Sequence, residues 1–64
     1  MKKIGTIAGK IWKKLNSNGK MTVTKMTKET SEKKDQVLMA IGWLMKEDKL
    51  DVTTKGNVTY YKLK

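Results

Sequence analysis

The sequence predicts an α+β fold, three helices followed by a C-terminal β-hairpin, on three observations. Within Gln36–Leu50 the apolar residues repeat at helical spacing: Val37, Ala40, Ile41 and Leu44 fall at i, i+3, i+4 and i+7, and Leu38 and Met45 widen the stripe. An earlier stripe of Ile4, Ile7, Ala8, Ile11 and Leu15 has the same period. After Asp48 the period shortens to two, and two alternating segments flank Lys55-Gly56-Asn57. Helix, short helix, central helix and hairpin follow one another in the order of a winged helix-turn-helix, and residues 1–64 read as one such domain.

Each element has its own signals. The first helix carries Lys10, Lys13 and Lys14 off its apolar stripe, and Asn16-Ser17-Asn18-Gly19 ends it with residues that tolerate the left-handed conformation of helix C-termini. Lys20-Met21 is a brief extended piece that can add a third strand to the hairpin. Thr22 caps a second helix, Val23 to Thr30, with Val23 and Met26 facing inward. A helix below ~12 residues is marginal in water, so this one must be held by packing. Ser31 opens a tight connection, and Glu32-Lys33-Lys34 leads into the central helix, which runs to about Glu47. Lys49–Thr54 forms the first hairpin strand, Lys55-Gly56-Asn57 supplies positive-φ loop residues, and Val58–Leu63 returns as the second strand. The expected core is Ile7, Ile11, Leu15, Met26, Val37, Ile41, Leu44, Leu50, Tyr61 and Leu63.

Composition narrows the function. Sixty-four residues enclose too little interior for a deep catalytic cavity, and the chain has neither Cys nor His, so thiolate and imidazole metal sites and the usual general base are missing. No enzyme activity, cofactor or small-molecule substrate is expected. The longest apolar run is far short of the ~20 residues of a membrane span, and MKKIGTIAGK lacks the continuous apolar region of a signal peptide, which predicts a cytoplasmic protein. Fifteen lysines, no arginine and six acids give a net charge of +9. That field favours a polyanionic partner, although a lysine-rich composition also serves solubility alone. Without arginine, bidentate reading of guanine is lost and lysine acts as a point charge on phosphate.

IGTIAGKIW in the first helix, with AIGWL and then EDKL in the third, resembles the small stand-alone winged helix-turn-helix proteins of bacteria and archaea, over nearly the whole chain. The resemblance implies the fold and a nucleic-acid role. At the turn between helices two and three the family pattern has a Gly and an apolar residue, where this chain has Ser31 and Glu32.

Two functional readings follow. In the first the chain binds double-stranded DNA with weak sequence specificity, as a transcriptional regulator. Lys33, Lys34 and Gln36 act from the third helix, Lys25 and Lys28 from the second, and Lys55 with Asn57 from the wing tip, and Gln36 meets an adenine edge. In the second the chain is a protein-interaction or homodimerisation module. The helical wheel gathers Glu32, Asp35, Met39, Gly42, Trp43 and Lys46 on the outer face of the central helix, where two carboxylates repel phosphate and Met39 and Trp43 leave apolar area in water. Gly5 and Gly9 lie one turn apart beside Trp12 on the first helix. Either Trp12 and Trp43 cover the intramolecular core with the hairpin over the glycines, or Gly5, Gly9, Trp12 and Trp43 receive a second copy.

Overall fold

A computed structural model describes residues 4–64; Met1 to Lys3, the start of the segment read for a leader, lie outside the described residues. The element order is α1 (Ile4–Asn18), β1 (Lys20–Met21), α2 (Val23–Thr30), α3 (Lys34–Lys46), β2 (Leu50–Lys55) and β3 (Val58–Leu63). The three strands form an antiparallel sheet in the order β1-β3-β2. Met21 pairs with Tyr61 on one side of β3, and Leu50 pairs with Leu63 on the other, the register running to Lys55 opposite Val58. Among the described residues no helix is long and apolar enough to cross a membrane.

The helix ends show how the chain is folded locally. Gly19 takes φ +88° and donates its N–H to Leu15 O at 2.8 Å, so α1 continues through Asn16, Ser17 and Asn18 and stops at the glycine. Thr22 caps α2 by accepting from Lys25 N at 3.2 Å. At the end of α3, Lys49 N donates to Leu44 O and Asp48 N to Met45 O, both at 3.0 Å. This is a Schellman arrangement with Asp48 at φ +59° in the position usually given to glycine. In the hairpin only Gly56 of the three expected loop residues has positive φ, at +58°. The last residue is tied back by its N–H to Lys49 O at 3.1 Å and by an ion pair of Lys64 with Asp48, whose hydrogen bond raises the lysine pKa above its usual value.

The turn between α2 and α3 solves the substitution seen in the sequence. Ser31 takes φ 58°, ψ 25°, the left-handed conformation that suits glycine. Glu32 then points inward and is only 8% exposed, where an apolar side chain was expected. Lys10 of α1 reaches across to it, Nζ to Oε2 at 2.9 Å, and so neutralises a carboxylate that burial alone would make costly. The reading that placed Glu32 on the outer face of α3 is therefore corrected.

The core is Ile7, Ala8, Ile11 and Leu15 of α1, Met21, Met26, then Val37, Ala40, Ile41 and Leu44 of α3, and Leu50. Tyr61 and Leu63 pack against it half-buried, as does Val23. Leu38 and Met45 do not widen the stripe: each is 45% exposed, so the buried face of α3 is narrower than its apolar pattern.

Leu44 is 4% exposed, and Leu44→Ala is expected to destabilise the domain by about 2–5 kcal/mol, read by denaturant unfolding. Lys10→Ala, which takes this ammonium away from the buried Glu32 carboxylate, is expected to cost about 1–3 kcal/mol. Adding Glu32→Leu to it should recover most of that loss, and an unchanged midpoint in Lys10→Ala would show that the pair contributes nothing.

Candidate nucleic-acid interface

The N-terminus of α2, the N-terminus of α3 and the wing converge on a shallow open cleft of about 400 Å³, lined by Thr22, Val23, Thr24, Lys34, Asn57, Val58 and Thr59. Lys34 and Asn57, far apart in sequence, are brought together here. Three threonines, Thr22, Thr24 and Thr59, join them, and these were missed from sequence: only the cap role of Thr22 was readable, and the nearness of Thr24 and Thr59 depends on how the wing folds back. Lys25 and Lys28 stand exposed on α2, Lys33 occupies the N-cap of α3, and Lys55 is exposed at the end of β2.

The ion pairs among the described residues are Lys10–Glu32, Lys14–Glu29 and Lys64–Asp48. Lys25, Lys28, Lys33, Lys34 and Lys55 enter none of them, so the charge around the cleft keeps its outward field. With Glu32 buried, the carboxylate left in the first turn of α3 is Asp35, whose Oδ1 accepts from Gln36 N at 2.9 Å. Gln36 itself is half-buried, and its Oε1 is enclosed without a hydrogen-bond partner among the described residues. Such an oxygen is badly placed for an adenine edge, which needs both ends of the amide.

Gly5, Gly9, Trp12 and Trp43 do come together, with Ala8, Leu44 and Lys49, around a second groove of about 210 Å³. The hairpin does not lie over the glycines: a Cβ at Gly5 or Gly9 would meet nothing within 4 Å. Trp12 is 40% and Trp43 50% exposed, which corrects the reading that both cover the intramolecular core.

Three helices with α2 and α3 joined by a tight turn, and a hairpin closing over their N-termini, define a winged helix-turn-helix domain. The profile of the family described as "Winged helix-turn-helix domain (DUF2582)" matches residues 1–63, and the chain belongs to that family. Among solved structures it is similar to protein BT2368 of Bacteroides thetaiotaomicron, determined by solution NMR. The TM-score is 0.86 at 23% sequence identity, covering 94% of this chain and 73% of that one, a likeness of fold. No curated protein matches the chain.

Because space is open at Gly9, Gly9→Ala is expected to stabilise the dilute protein by about 0.5–1 kcal/mol through helix propensity. A lower melting temperature for Gly9→Ala would show that the glycine is needed within the fold.

Proposed function

We propose that this chain binds double-stranded DNA through the sugar-phosphate backbone, with weak sequence specificity, as a regulator of transcription in the cytoplasm. The observation that carries the reading is the cleft itself. It sets Lys34, Asn57 and three threonines, Thr22, Thr24 and Thr59, around one opening, with Lys25, Lys28, Lys33 and Lys55 outside every described ion pair. Lysine ammonium groups and hydroxyls are phosphate ligands, and such contacts fix a protein on a duplex without reading its sequence.

The rest of α3 supports backbone contact over base contact. A helix that reads bases presents polar groups to the major groove, whereas the outward residues of α3 include Leu38, Met39, Trp43 and Met45. No role for a cofactor, metal or small-molecule substrate belongs to this reading, and the chain acts by binding, not by catalysis. A second reading, an interaction module without DNA contact, draws its support from those same apolar residues.

Each phosphate contact releases condensed counterion, so affinity for a generic duplex should fall with a logarithmic salt slope of ~0.9 per phosphate neutralised. Lys34→Ala and Lys55→Ala should each lower that slope by about one and weaken binding to all sequences alike. Gln36→Ala should leave the slope unchanged. Amide shifts at Lys33, Lys34, Lys55 and Asn57 that stay still under excess duplex at low salt would end the DNA reading in favour of the interaction module.

A further inference from the structure

We propose that the outward face of α3 is a self-association surface, on which a second copy of the chain lays its own α3 antiparallel. The inference goes beyond nucleic-acid binding and stands without it.

The first ground is apolar exposure on one helix. Leu38 and Met45 are 45% exposed, and Met39 and Trp43 50%, on thirteen residues that also supply much of the core. Single exposed apolar residues need no explanation, but here they form two pairs, Leu38 with Met45 and Met39 with Trp43, flanking the outward line of one helix, an arrangement of the kind that marks a contact. The groove between Trp43 and Trp12 extends it onto α1.

Charge decides what fits there. At +9 two copies of this chain repel, and most faces would oppose their meeting. The exposed charges along α3 and its two caps are Lys33, Lys34, Asp35, Lys46 and Glu47, a net +1 against +9 for the whole chain. Asp35 in the first turn and Lys46 in the last lie on nearly the same line of the helix, with Gly42 between them. A two-fold axis at about the level of Ile41 sets Asp35 against Lys46 of the second copy, and the reverse, as an isologous contact requires. The same axis sets Leu38 beside the second copy's Met45 on one flank, and Met39 beside its Trp43 on the other. A parallel copy would oppose Asp35 to Asp35 and Lys46 to Lys46.

Gly42 is the third ground. A Cβ there would meet nothing within 4 Å, so nothing inside the chain requires the glycine. In a helix interior glycine is less favourable than alanine, and at the middle of the face it lets a second backbone come close.

The test is sedimentation equilibrium of the full chain without nucleic acid, from micromolar to millimolar, with charge variants. Asp35→Lys and Lys46→Asp should each raise the dimer dissociation constant about tenfold, since each sets like charges together twice. They move the net charge in opposite senses, to +11 and +7 from +9, so an association governed by net charge alone would tighten in Lys46→Asp. Combined, the two substitutions should restore the original constant. Melting curves of dilute samples confirm that each variant is folded. A chain that stays monomeric at millimolar concentration leaves the face to some other partner and overturns the proposal. A dimer indifferent to both single variants, or one not rescued in the double variant, overturns it equally.

Discussion

The packing of α1 on α3 is the contact on which the remaining structure depends. Ile7, Ile11 and Leu15 meet Val37, Ala40, Ile41 and Leu44 in one seam, and these account for most of the buried apolar side chains. The eight-residue α2 adds Met26 as its only fully buried apolar residue, and the sheet adds Met21 and Leu50. Neither holds itself together at that size. Both are positioned by packing on the two long helices, and the cleft lined by α2, α3 and the wing inherits its shape from that packing.

Lysine serves two purposes in this architecture. Lys10 and Lys14, one turn apart on α1, reach Glu32 and Glu29 and fasten the flank of α1 to the end of α2. Half-exposed pairs of this kind contribute little each, but the burial of Glu32 makes its partner matter more than an ordinary surface lysine. The lysines of α2, the start of α3 and the wing have no such internal duty. A net charge read from composition cannot separate the two sets, because the difference lies in which acids fold next to which lysines.

Much of the architecture was legible in the residues. The bounds of α2 and of β3, the cap at Thr22 and the strand at Met21 follow from local chemistry, which acts over a few residues and is written in order along the chain. The failures share a different cause. Leu38 and Met45 carry the right period for burial, but the width of a buried stripe is set by what lies opposite, and here little does. Ser31 and Glu32 looked unsuited to their turn because Ser31 takes a positive φ usual for glycine, and because the lysine that pairs with Glu32 arrives from α1, twenty-two residues earlier. Of the candidate site, Lys34 was nameable from the start of the third helix and Asn57 from the wing loop. The threonines beside them, and the enclosure of the Gln36 oxygen, arise only from tertiary placement.

The order β1-β3-β2 bears on how the protein comes to be folded at all. Its middle strand is the last one synthesised, and β1 waits about forty residues for the partner that Tyr61 and Lys62 bring. Until then Met21, a core residue, has no strand beside it. Such distant pairing slows folding, because the loop must close before the contact rewards it. A nascent chain therefore completes its core only after translation has passed Leu63, and it is in that interval that the incomplete core is most exposed to wrong partners.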